Sequence, residues 1–166
     1  MGYDNQKAVY ALSSAGRLNH ERDGKPSLNS FAFNVLNYMA FTTYDWDSAS
    51  NQPTEQPKKL DKPCRYYALG WQGIAKTFGM FQVSPSLLFL DDDKEMQEAV
   101  RRRAATAKLR ISDAWAFLKK QELIKCIKPA GTGRNAGWLL TIGSPIENIR
   151  VEEYARSCLN LSDYSS

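Results

Sequence analysis

Residues Asp93 to Thr141 read DKEMQEAV RRRAATAKLR ISDAWAFLKK QELIKCIKPA GTGRNAGWLL T, and this stretch decides how the chain is read. Met96, Val100, Ala104, Ala107, Ile111, Ala114, Trp115 and Leu118 recur every three or four residues. At about 100° per residue they fall on one stripe, which predicts a long amphipathic helix from Asp93 to Gln121 with Val100 near the centre of its buried side. Such a helix would run about 43 Å at 1.5 Å per residue, so a break near Lys108 to Arg110 is considered. Two short apolar runs follow, Leu123-Ile-Lys-Cys-Ile127 and Trp138-Leu-Leu-Thr-Ile142. The segment between them, Lys128-Pro-Ala-Gly-Thr-Gly-Arg-Asn-Ala-Gly137, has three glycines and an Asn that tolerate positive φ, so it predicts a β-hairpin with Arg134 at its tip.

Charge is concentrated in the same place. Between Lys94 and Lys128 there are ten Lys or Arg and four acids, a balance of +6, whereas the whole chain carries +4, which leaves −2 for the remainder. A local excess of this kind is what a surface meeting a polyanion requires. The candidate contact residues are Arg101, Arg102, Arg103, Lys108 and Arg110 on the helix and Lys128 and Arg134 on the hairpin. Guanidinium groups can hold phosphate oxygens bidentately or reach guanine O6 and N7 in a major groove.

Helix, strand, basic hairpin tip, strand is the order of a winged helix-turn-helix DNA-binding domain, and Leu118-Lys-Lys-Gln-Glu-Leu-Ile124 resembles that family's junction between recognition helix and wing. Upstream, Arg65-Tyr-Tyr-Ala-Leu69 matches the small strand before the second helix of such domains. Gly70 to Phe78, with Trp71, Ile74, Ala75 and Phe78 on one face and Gly79 as a left-handed stop, resembles the first helix of the helix-turn-helix pair. The pattern from Tyr66-Tyr67-Ala-Leu-Gly-Trp71 to the glycine wing is also similar to domains of plasmid or phage replication initiators. The resemblance implies a mainly α fold with a small β-hairpin, and sequence-specific or structure-specific binding of double-stranded DNA in replication initiation or transcription regulation. A protein-protein interaction module on the same scaffold is the alternative.

One departure from the family stands out. Fourteen residues separate Gly79 from Lys94 where a compact turn needs three or four, and they include the apolar Leu87-Leu-Phe-Leu90, expected to cover the core or meet a partner. Asp91-Asp-Asp93 suits a helix start, with carboxylates near free amides, rather than a cation loop, which needs wider spacing and a turn glycine.

The rest of the chain is read as support. Residues 1–26 are expected to be an N-terminal arm with a short helix near Gln6 to Ala15, packed loosely. The winged domain is placed at 27–143, its first helix starting at Pro26 and Ser27, with Phe31, Val35, Tyr38 and Met39 at helical spacing. Within it, 43–64 is polar and proline-containing, read as a long loop and mobile spacer anchored by Trp46. Residues 144–166 are a C-terminal helix and polar tail. Ser144-Pro-Ile-Glu147 has capping-box spacing, and Ile149, Tyr154, Ala155 and Leu159 are the expected buried face.

Several chemistries are excluded by composition. His20 is the only histidine and lies in a polar stretch, which removes most triad and zinc arrangements. Cys64, Cys126 and Cys158 lack both zinc spacing and the density of a disulfide scaffold, and read as reduced structural thiols. The glycines 131, 133 and 137 precede a strand-like run and no Gly-Lys-Ser/Thr follows, so they are not a phosphate loop. The expectation is a cytoplasmic non-enzyme with no cofactor and no metal, no membrane span, and DNA as partner. A homodimer or protein contact is expected through the C-terminal helix or Leu87 to Leu90.

Overall fold

The computed structural model describes residues 2–86 and 93–162. In chain order the elements are α1 (Tyr3–Ser14), β1 (Asn19–Arg22), β2 (Lys25–Leu28), α2 (Ser30–Phe41), β3 (Trp46–Asp47), β4 (Gln52–Pro53) and α3 (Glu55–Leu60). They continue with β5 (Tyr66–Tyr67), α4 (Gly70–Thr77), α5 (Asp93–Lys120), β6 (Ile124–Lys128), β7 (Gly137–Leu140) and α6 (Pro145–Cys158). Among the described residues helix takes 53% and strand 17%, so the chain is mixed α/β with small antiparallel sheets rather than mainly α with a lone hairpin. The expected hairpin is β6–β7. Strand β5 adds to it on the β7 side, giving the order β5-β7-β6.

This three-stranded sheet separates two hydrophobic clusters, and strand alternation explains how. Tyr67 and Leu140 point to the side where α2, α4 and the C-terminal half of α5 pack, with Val35, Met39, Ile74, Ile111 and Leu118. Their chain neighbours Tyr66 and Leu139 point the other way, where Trp46, Val151 and Ala155 lie. Helix α6 thus covers the back of the sheet.

The first 26 residues are not a loosely packed arm. Helix α1 lies against α2, and its Val9, with Leu18 just after it, is fully buried in the main cluster. Residues 19–28, read as a polar run and a helix start, form the β1–β2 ribbon instead. Asp23 and Gly24 take φ of 53° and 73°, the values a two-residue hairpin turn needs. Helix α2 therefore starts at Ser30, where the Asn29 side chain accepts a hydrogen bond from the Ala32 amide.

The 43–64 stretch is structured rather than a mobile spacer. It holds β3, β4 and α3, with Thr43, Pro57 and Cys64 buried. Trp46 anchors it, packing 6.0 Å from the Tyr154 ring. Tight polar turns replace the missing hydrophobic period: the Asp47 carboxylate accepts from Ser50 Oγ and from the Ala49 and Ser50 amides, which together hold it below its usual range.

Helix α5 runs unbroken through Lys108 to Arg110. Its buried residues are Ala107, Ile111, Ala114 and Leu118, but Val100, on the same stripe, is 45% exposed. No residue between 93 and 106 is buried. Val100 is therefore not the centre of the buried side, because the elements that cover the stripe reach only its C-terminal half. The expected roles of Leu87 to Leu90 and of Asp91 and Asp92 lie outside the described residues.

In α6 the Ser144 side chain accepts from the Glu147 amide at 3.2 Å, as the capping box predicts. Of the expected face Ala155 is buried and Tyr154 and Leu159 are half-buried against the second cluster, but Ile149 is 54% exposed, and Glu147, Val151 and Glu152 point inward as well. The two carboxylates tolerate burial because each meets cations, Glu147 from Arg65 and Glu152 from Lys125 and Arg156. Cys64 is buried, and burial pushes its thiol up to about 12, but Cys126 is exposed on β6 and is not a core thiol. No helix among the described residues is long and apolar enough to cross a membrane.

Candidate nucleic-acid interface

The α5 segment from Arg101 to Arg110 holds five cations and no acid. Angles from the buried stripe place Arg101 and Lys108 on one flank, Arg103 and Arg110 on the other, and Arg102 toward the outer side. All five are exposed.

Their local partners differ. Arg102 Nη2 donates to Glu98 Oε1 at 2.8 Å, one turn back. That hydrogen bond and the accompanying attraction lower the Glu98 carboxyl and raise the Arg102 guanidinium. The Arg110 guanidinium lies 4.4 Å from the centre of the Phe31 ring, a cation–π contact that fixes it against the start of α2. A cavity of about 230 Å³ between Asn29, Phe31, Arg110, Asp113 and Ala114 marks the same flank. Arg103 and Lys108 make no hydrogen bond or ion pair with described residues.

The hairpin tip is closed by reciprocal backbone bonds between Gly131 and Arg134, both 3.0 Å, with Gly133 at φ 66°. Arg134 is exposed and its Nη2 reaches the Pro129 carbonyl at 3.4 Å. Lys128 ends β6, half-buried and opposite Gly137 across a register shift. Asn135 Nδ2 donates to the Ala68 carbonyl at 3.3 Å, which ties the tip to the entry of α4. Lys125, between helix and tip in sequence, is bound to both Glu152 oxygens at 2.9 Å.

One aromatic pair joins the helix to the hairpin. The Trp115 and Trp138 rings lie 5.4 Å apart, and Trp115 Nε1 points at Met39 Sδ, 3.3 Å away. The seven residues singled out by sequence therefore fall into two groups, five along α5 and two on the hairpin. Sequence reading missed the β1–β2 ribbon on the other side of α5, although Arg22-Asp-Gly-Lys25 carries the Asp-Gly turn signal. No protein-family model, curated protein or solved structure matches the chain.

Proposed function

We propose that residues 27–143 form a winged helix-turn-helix domain that binds double-stranded DNA, with α5 in the major groove and the β6–β7 hairpin as the wing. The observation that carries this reading is the acid-free run of five exposed cations from Arg101 to Arg110, within which only Ala107 is buried. A solvated helix face ordinarily mixes signs, as α5 itself does before Glu98. Supporting it is the connectivity β5, α4, α5, β6, β7, in which the small strand before α4 pairs with the second strand of the hairpin. Gly79, at φ 64°, closes the first helix of the pair as the family resemblance implies. The same resemblance points to replication initiation or transcription regulation in a bacterium, plasmid or phage.

The test is titration of the full chain onto random-sequence duplex across a salt series. A phosphate-binding surface loses affinity with a log-log slope of about 0.9 per phosphate contacted, so these seven candidate cations can contribute up to about six. Affinity that does not change with salt, or no binding at all, overturns the proposal. A second reading, an interaction module, is favoured by Ile146 and Ile149, exposed within one turn of each other on α6.

A further inference from the structure

Trp115 and Phe117 stand two residues apart on α5, about 200° around the helix, so their side chains leave on opposite flanks. Trp115 meets Trp138 of the hairpin at 5.4 Å, and Phe117 meets His20 of the β1–β2 ribbon at 6.5 Å. The helix therefore lies between two β-ribbons. Ala116 between them is exposed, as are Leu109, Ser112 and Lys120 on the same outward side.

The ribbon has a basic face and an acidic face. Its register pairs His20 with Ser27 and Arg22 with Lys25, while Glu21 pairs with Pro26. Cross-strand partners share a face and alternate residues along a strand do too, so His20, Arg22, Lys25 and Ser27 lie together and Glu21 lies behind. Because the His20 ring is the one that meets Phe117, the basic face is the one turned toward α5.

Burial does not account for this ribbon. Asn19 and Ser27 are half-buried and its other residues are exposed, whereas a lone two-stranded ribbon is marginal in water and needs another reason to be held in place. Its base is fixed: Asn29 donates to the Leu18 carbonyl at 2.9 Å, and Arg17 Nη2 donates to the Gln121 carbonyl, also at 2.9 Å. From His20 the strand extends roughly 10 Å to the turn at about 3.3 Å per residue. Arg22 lies 4.0 Å from Asp23, but both side chains are in water, where such a pair holds weakly.

We propose that the β1–β2 ribbon is a second wing, with Arg22 and Lys25 on phosphates of the duplex that α5 enters. A helix in a major groove about 12 Å wide has a phosphate strand on each flank. The β6–β7 hairpin meets one strand and the β1–β2 ribbon meets the other. This inference rests on the DNA-binding reading above, and its test separates the two.

The experiment compares four forms of the full chain on random-sequence duplex across a salt series: wild type, R22A/K25A, R101A/R103A and Glu21→Ala. The expected result is a salt slope lowered by about two in R22A/K25A, from two lost phosphate contacts, and an unchanged slope in Glu21→Ala, which alters only the opposite face. If R101A/R103A lowers the slope and R22A/K25A matches wild type, the second wing falls and the DNA reading stands. If wild type does not bind, both fall. Since Arg22 and Lys25 are exposed, the double variant should melt as wild type does. Should it melt lower, Arg22→Gln and Lys25→Gln are measured singly, each expected to lower the slope by about one, and an unchanged slope in both overturns the proposal.

Discussion

Arg65 and Glu147, 82 residues apart in sequence, form a buried ion pair that joins the lead-in of β5 to the first turn of α6. Arg65 is 1% exposed, and its Nε also donates to Asn5 Oδ1 at 2.9 Å. The Asn5 backbone N–H donates to Asp45 Oδ1 at 2.8 Å, and its Nδ2 donates to the Tyr44 carbonyl at 2.9 Å. One guanidinium thus ties α1, the 43–45 segment and α6 to the sheet. Removing either charge leaves the other buried without its partner, so Arg65→Ala and Glu147→Ala are each expected to cost about 3–5 kcal/mol. Asn5→Ala should cost less, about 1–3 kcal/mol, since it removes polar contacts to the guanidinium and to the Tyr44 carbonyl but leaves the ion pair in place. Urea denaturation of the three variants measures this, and losses below about 1 kcal/mol for the charge deletions would show the pair to be dispensable.

Glu152 supplies a pH dependence with a definite sign. Burial alone would raise its carboxyl, but hydrogen bonds from Lys125 and Arg156, with their charges, outweigh that and leave it below the ordinary 4.5. A group whose folded value is lowered contributes stability in full above 4.5, and this is lost as pH falls through the lowered value. The melting temperature of wild type should therefore drop more steeply below about pH 4.5 than that of Glu152→Gln, which cannot titrate there. Parallel curves for the two proteins would remove Glu152 from the acid response.

What was legible in the sequence was local and periodic. The α5 stripe, the two runs around the glycines, the stop at Gly79 and the cap at Ser144 each depend on residues within one or two turns of each other. Val100 shows where that kind of reading ends. Periodicity assigns a residue to a face, yet how far along a helix its neighbours extend is set by tertiary packing, and here they stop at Ala107. Glu147 shows a second limit: its backbone amide completes the cap as expected, while its side chain turns to Arg65, a partner that no local pattern announces. On α6 the packing of Tyr154, Ala155 and Leu159 follows from their spacing, but Glu147 and Glu152 look solvent-facing until their cations are known. Of the candidate interface, the sequence located the cations but not their partners, so Arg102 and Arg110 looked equivalent to Arg103.

Gly2 tests whether α1 is integral to the fold. It sits at φ 64°, and a Cβ there would run into the Ala40 and Phe41 carbonyl oxygens at the end of α2. These are backbone atoms that cannot swing aside. Gly2→Ala is expected to lower stability by about 1–3 kcal/mol, the scale of a strained left-handed residue, with the collision added to it. Thermal unfolding of the variant measures the loss, and an unchanged melting temperature would mean that α1 is not held against α2 in solution.

The partners along α5 also grade its cations. Arg103 and Lys108 carry no local partner among described residues, so Ala in place of either should weaken binding to all duplex sequences and lower the salt slope by about one. Arg102 must leave Glu98 before it can serve a phosphate, and Arg110 must leave the Phe31 ring, so each of their Ala variants should lose less. The opposite change is the sharper test. Glu98→Ala removes an acid from the proposed binding face and frees Arg102 together, so it should tighten binding about two- to fivefold at low salt, the weight of an exposed ion pair, with the gain fading as salt rises. A base-reading arginine would behave differently, costing about 1–3 kcal/mol on a preferred site while leaving random duplex little changed. Measuring the five single variants on random and selected duplexes separates these cases. If Glu98→Ala binds no more tightly and the cation variants bind as wild type does, the positive run is a solvated surface, and the exposed isoleucines of α6 become the place to look for a partner.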